Sequence, residues 1–287
     1  MKSTAPSPSQ IEIFDHYRKP RPVVLFYQYD EAGETCRQAL AQLAAQHGGR
    51  LTWAARAEQA FVGAVGQRQH ACMLRFESRS GARDFLMSAE HAQALDGASD
   101  VEVAALNDQP RSLAIFSSLL ARILPRLPFD NTVEAGEEPG VGSSGAMPTA
   151  AAIAELTAHP QQDTPVVMIN WLKFRDTAHY PAGAAPVSGR TAYLRYGKVA
   201  MAATHSLGAK LLFGARYQQI LIGNGGDPAP KLWDEFALMQ YPGRATFKFM
   251  ASLRRYRKSL HHREAGLTER GQGLTISRPC EEFVWRP

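Results

Sequence analysis

Cysteine is scarce in this chain, and what there is stands poorly placed for chemistry. Cys36, Cys72 and Cys280 are odd in number, far apart and never part of a CxxC pair. Neither a disulfide framework nor a zinc site is therefore expected. No run approaches the roughly 18 apolar residues of a membrane span, and the opening MKSTAPSPSQ lacks the apolar core of a signal peptide. Both absences lead us to expect a cytoplasmic address and no membrane partner. No GxxxxGK[ST] phosphate loop occurs. Nor is any basic run interleaved with stacking aromatics, so no nucleic-acid partner is expected.

What is present describes a globular protein. The 287 residues are 45% hydrophobic with 18 prolines, enough for two domains of ordinary size. Charge is unevenly divided. Residues 1–147 hold 14 Lys and Arg against 17 Asp and Glu, whereas residues 148–287 hold 18 against 10. The basic second half reads as a solvated helix face with scattered arginines, or as the side that meets an anionic small molecule.

The segment from Trp233 to Leu267 organises the chain. Trp233, Glu235, Ala237, Met239 and Tyr241 alternate with Asp234, Phe236, Leu238 and Gln240, the period of a strand. Pro242-Gly243 marks a turn. Phe247, Met250, Leu253, Tyr256 and Leu260 then recur at helical spacing, which predicts one amphipathic helix with Gly266 as its stop.

Earlier in the chain, Ser9 with Glu12 has capping-box spacing and predicts a short helix. A buried strand over Pro22–Tyr29, a helix from Gly33 to Gln46 and a strand pair near Leu51–Val65 and Ala71–Phe76 follow. Gly81 leads into a helix with Phe85, Leu86 and Ala89 inward, and Val101–Leu106 is a closing strand. That β-α-β-β-α-β order is ferredoxin-like and of the α+β class. From Thr149 the order begins again: Pro165-Val166-Val167 parallels Pro22-Val23-Val24, and the segment from Gly243 parallels that from Gly81. A repeat over so long a stretch predicts two tandem copies, residues 1–110 and 148–287. Between them, residues 111–147 hold an apolar helix, Ser112–Leu127, expected to pack across the halves, and an acidic Gly/Ser linker, Asn131–Met147.

The second copy resembles the domain-of-unknown-function family 1330 of the dimeric α+β barrel superfamily. The likeness lies in Pro148-Thr149, the PVVMINWLKF strand at Pro165–Phe174, the tyrosines Tyr193 and Tyr196, the WDEFALMQYP strand, and HHREAGL at His261–Leu267. The first half looks like a divergent copy. The resemblance implies that the two ferredoxin-like sheets close an α+β barrel within one chain, as a pseudo-dimer open to further homodimer formation.

Barrels of this kind hold ligands between sheet and helices, in apolar clefts with a few polar groups. Candidate substrate contacts are Asn170, Tyr193, Tyr196, Trp233 and Arg263, and His205 and Glu235 belong to the same polar constellation. His261 or His262 is the candidate acid or base, and Arg263 the candidate anion partner. Structural readings stand beside these: core tyrosines, a packing tryptophan, a solvated His205, and cations at a helix terminus. Oxygenases of the superfamily use an Asn, a Trp and a His around an aromatic substrate, which Asn170, Trp233 and a histidine resemble. The expected function is a small-molecule enzyme or binder. It would be an oxygenase or isomerase working without cofactor or metal on a compact apolar, aromatic or anionic compound. The alternative is a non-catalytic module. Residues His179–Arg190 form an insertion that reads as a lid or a long loop.

Overall fold

The computed structural model describes residues 5–16, 22–63, 68–128, 130–133, 147–182, 185–223 and 232–286, with the side chains of 269–272 excepted. The acidic Gly/Ser stretch at 134–146 and part of the His179–Arg190 insertion lie outside the described residues. In chain order the elements are α1 (Pro8–His16), β1 (Val23–Asp30), α2 (Gly33–Gln46), β2 (Gly49–Val62), β3 (His70–Phe76), α3 (Arg79–Met87), α4 (Ala89–Ala94), β4 (Ser99–Asn107) and α5 (Arg111–Ile123). They continue as α6 (Ala150–Ala158), β5 (Val166–Phe174), α7 (Gly189–Ser206), β6 (Lys210–Ile222), β7 (Glu235–Tyr241), α8 (Arg244–Ser252), α9 (Arg254–Gly266) and β8 (Leu267–Pro279).

Among the described residues, eight strands form one closed antiparallel barrel in the order β1-β3-β2-β8-β5-β7-β6-β4. Strands β1–β4 are contiguous in it, as are β5–β8, and the two groups join at the β2–β8 and β4–β6 seams. Closure leaves no free sheet edge. The mixed α+β class is as expected.

Strand alternation sorts the apolar residues into an inside and an outside. Phe26, Trp53, Met73, Leu106, Val167, Ile169, Trp171, Phe213, Phe236 and Leu238 pack into one cluster inside the barrel, drawn from both strand groups. Phe26 packs edge-on to Trp171 at 5.4 Å and Phe236 meets Trp171 at 4.5 Å, so the interior is filled by aromatic contact. On the outer face, Tyr27, Leu40, Leu74, Phe76 and Phe85 form the core beneath α2 and α3. Met168, Tyr196, Tyr241, Phe247, Met250 and Tyr256 form the core beneath α6–α9.

The helix that precedes each strand group packs on the other group. Gln10 on α1 and Gln219 on β6 are bonded, the Gln219 amide donating to the Gln10 carbonyl at 2.8 Å. Gln59 on β2 donates to the Ala152 carbonyl of α6 at 2.7 Å. Each helix thus covers the long strand of the opposite group.

Several local expectations change. The α1 cap is Ser7, whose Oγ accepts from the Gln10 amide while the Gln10 side chain accepts from the Ser7 amide. This is a capping box two residues before the one expected at Ser9. Helix α3 starts at Arg79 behind Ser78, its buried residues are Ala82, Phe85 and Leu86, and Ala89 is exposed at the start of α4. The helix expected over Phe247–Leu260 is two helices, broken at Leu253 in extended conformation. Leu253 is 1% exposed and its backbone bridges Val133, while the Arg254 amide donates to the Thr132 carbonyl at 3.0 Å. Periodicity could not reveal that break, because both helices bury the same side. Helix α5 does pack on β6 and α7 through Ser117 and Ala121, but Ile115, Phe116, Leu119 and Ile123 on its other side are exposed.

Candidate functional site

A cavity of about 180 Å³ lies between the outer face of β5 and the helices α6–α9. The strand period explains what faces it. On β5, Val167, Ile169 and Trp171 point into the barrel, so Met168 and Asn170 are left to line the cavity from the other side. Helix α7 contributes Tyr193 and Tyr196, one turn apart, and α9 contributes Tyr256, Leu260 and Arg263 at intervals of four and three. Phe247 and Ala251 of α8, Leu156 of α6 and Leu274 of β8 supply apolar wall. Thr157 and Lys248 line the cavity yet are exposed, so they mark its mouth between α6 and α8.

Polar groups converge at the inner end. The Tyr196 and Tyr256 hydroxyls are 2.9 Å apart, and the Arg263 guanidinium sits over the Tyr196 ring at 5.8 Å. Arg263 is only 5% exposed, and it also donates to the Met147 sulfur at 3.5 Å, a weak acceptor. Among the described lining residues are two cations, Arg263 and Lys248, and no carboxylate. Asn170 spends its amide hydrogens on the Met168 and Ala237 carbonyls, at 3.0 and 3.4 Å.

Burial pushes the Tyr193, Tyr241 and Tyr256 hydroxyls above the usual phenol range, with neighbouring tyrosines adding to it and Arg263 pulling back. They are therefore neutral at physiological pH and act as hydrogen-bond donors, not bases. Of the paired Tyr196 and Tyr256 hydroxyls, one proton is spent between them and the other is left to give.

Four sequence candidates thus meet at the cavity: Asn170, Tyr193, Tyr196 and Arg263. The others stand elsewhere. His261 is exposed, its ring bonded to the Lys258 carbonyl at 2.8 Å. His262 is bonded at Nδ1 to the Tyr180 hydroxyl at 2.6 Å. Burial, then His261 and Arg195, hold the His262 ring below its ordinary pKa. Successive helix residues diverge by about 100°, so only Arg263 of this trio turns inward.

Trp233 precedes β7 and joins the barrel-interior cluster, stacked on Trp171 at 6.2 Å. Extending the β7 alternation back to it fails because regular pairing begins at Glu235. Asn170 and Trp233 consequently lie on opposite faces of the sheet. Glu235 is tied to Arg190 at 2.7 Å. His205, expected to be solvated, is fully buried against Ser117 and the Met201 carbonyl.

The cavity residues that sequence reasoning passed over are Phe61, Tyr241, Tyr256 and Lys248. Tyr256 belongs to the helical stripe, where its spacing marks it only as core. Phe61 comes from the end of β2, and no local signal could have placed it beneath α6.

No family model matches the chain, and no curated protein matches it. Among solved structures, an RPA0582 protein of unknown function from Rhodopseudomonas palustris is 27% identical, with a TM-score of 0.41 over 47% of this chain and 95% of that one. A variant of chlorite dismutase from Candidatus Nitrospira defluvii is 10% identical, with a TM-score of 0.44 over 91% and 93%. An anthrone oxidase-like protein is 8% identical, with a TM-score of 0.43 over 94% and 98%. Among the described residues, no helix is long and apolar enough to cross a membrane, and no group of three metal-ligating side chains occurs.

Proposed function

We propose that this chain is a small-molecule enzyme or binder whose site is the cavity between β5 and α6–α9. The observation carrying the reading is the convergence of Arg263, Tyr193, Tyr196 and Tyr256 at the inner end of an otherwise apolar pocket. Apolar walls with few directed polar groups are the usual composition of ligand sites. We read the chain as an internal pseudo-dimer of two ferredoxin-like copies, with strand orders 4-1-3-2 in each group and leading helices packed on the opposite group in support. In that reading the second copy keeps a cavity where the first has its packed core of Tyr27, Phe76 and Phe85.

Of the chemistries expected from sequence, neutral tyrosine donors beside an arginine supply the polarising half of an isomerase site. Such donors stabilise negative charge developing on a carbonyl oxygen. The described lining holds no base to take a proton, so binding is the reading the cavity supports better. The Asn, Trp and His trio that oxygenation would use is not gathered here, since Asn170 and Trp233 occupy different faces. In this reading the tyrosines take the donor role and Arg263 the charge role. His261 and His262, beside Tyr180, serve to hold the insertion against α9.

The test is ligand-observed NMR with a set of small aromatic compounds, run on the native protein and on Ala251→Trp, which fills the cavity from α8. Binders that vanish with Ala251→Trp support the site. Binders that all persist would move it elsewhere.

A further inference from the structure

We infer that the ligand of this cavity is an apolar monocarboxylate, bound with its carboxylate at the inner end on Arg263 and its apolar body toward Lys248. The inference rests on the cavity being the ligand site, and adds the chemical class and the orientation.

Charge distribution is the first argument. Arg263 lines the cavity and is 5% exposed. Its guanidinium is a permanent cation with five donors, so it can hold a carboxylate beside the partners it already has. The tyrosine neighbours add donors of the same polarity: with Tyr193, Tyr241 and Tyr256 all kept protonated by burial, the inner end presents hydrogens, which is what an anion requires. The described lining has no carboxylate to repel such a head group.

Shape and polarity give the orientation. Leu156, Phe247 and Ala251 give the cavity apolar wall, and the exposed polar residues of its lining are Lys248 and Thr157. A ligand charged at one end and apolar through its middle satisfies both regions without burying an unmatched polar group. Lys248 is exposed, so it offers a solvated charge that attracts anions to the mouth without fixing them. A neutral ligand of the same shape would offer the inner donors a weaker acceptor, which is where discrimination comes from.

The probes are 1-naphthoate and its neutral counterpart 1-naphthamide, titrated calorimetrically on the full chain at neutral pH. The expected result is about tenfold or more tighter binding of the acid, from a charge-assisted hydrogen bond in a buried setting. Arg263→Gln should abolish the preference, whereas Lys248→Gln should leave it and weaken the acid by about threefold or less. The comparison of the two probes on the unmodified protein needs no variant, so it decides even if Arg263→Gln does not fold. Equal binding of acid and amide, or binding of neither, overturns the class. A preference that survives in folded Arg263→Gln, or is lost with Lys248→Gln, overturns the orientation. Both probes binding undiminished to Ala251→Trp would instead overturn the cavity as the site.

Discussion

At the scale of single residues, burial decides what each polar group does. His205 illustrates the point because sequence position suggested a solvated helix end. Its Nδ1 hydrogen goes to the Met201 carbonyl at 2.8 Å, which fixes the tautomer. Its Nε2 meets the Ser117 hydroxyl at 3.1 Å, a group shared with the Leu211 carbonyl at 2.9 Å. Desolvation lowers its pKa, nearby Lys210 lowers it further, and the Met201 bond works the other way. The folded pKa therefore lies below the unfolded one. As pH falls below about 6.5 the unfolded chain takes up the proton first, and the stability supplied by neutral His205 is lost down to the folded pKa. Urea midpoints of the native protein and His205→Gln should converge as pH is lowered from 7 to 5. Parallel midpoints across that range would show that His205 does not titrate in this window. What the sequence could reveal was the histidine's place at the end of α7. Its burial depends on α5, more than 80 residues away in sequence, and no local pattern encodes that.

At the scale of elements, the contact of α7 with α9 sets the cavity's rear wall, and two glycines allow it. A Cβ on Gly266 would lie 2.5 Å from the Gly189 carbonyl oxygen and 2.9 Å from the Tyr193 backbone nitrogen. Those are backbone atoms that cannot step aside. Gly266→Ala should cost about 2–3 kcal/mol, the upper part of the range for overpacking. On the same α7, a Cβ added at Gly197 would meet nothing within 4 Å. Gly197→Ala should therefore stabilise by about 0.5–1 kcal/mol through helix propensity alone. Chemical denaturation of the two variants checks the pair. Similar effects of the same sign would mean that propensity, not the close approach, governs both sites. Gly266 was legible as a helix end, and α9 does end there. Its reason is not a left-handed cap, for the chain runs straight on into β8 and the glycine serves the helix contact. Elements with strong period, such as the helix expected from about Gly33 to Gln46, were readable, and α2 spans that stretch. The α8–α9 break was not, because Thr132 and Val133 impose it from outside.

At the scale of the whole molecule, closure of the barrel makes each strand group the other's solvent shield. The order of elements along the chain made the α+β class legible, and the barrel followed only from the resemblance of the second half to a known family. The cavity was legible only through the residues that one strand group and its helices contribute, since Phe61 and the cover of α6 over β2 arise from the packing of each leading helix on the other group. The same packing predicts how the chain responds to division. Residues 1–130 alone would lose the β2–β8 and β4–β6 seams and expose Phe26, Trp53, Met73 and Leu106 on one sheet face. An exposed apolar patch of that kind does not stay in water, and two unpaired edge strands invite pairing. The natural solution is the barrel's own geometry, with a second copy of the fragment standing where residues 147–287 stood. Sedimentation of the isolated fragment should accordingly give a dimer or larger species, and co-expression of both fragments a one-to-one complex with native-like stability. Two separately folded, monomeric fragments would mean that the interior cluster is dispensable to each half, and the pseudo-dimer reading would fall with it.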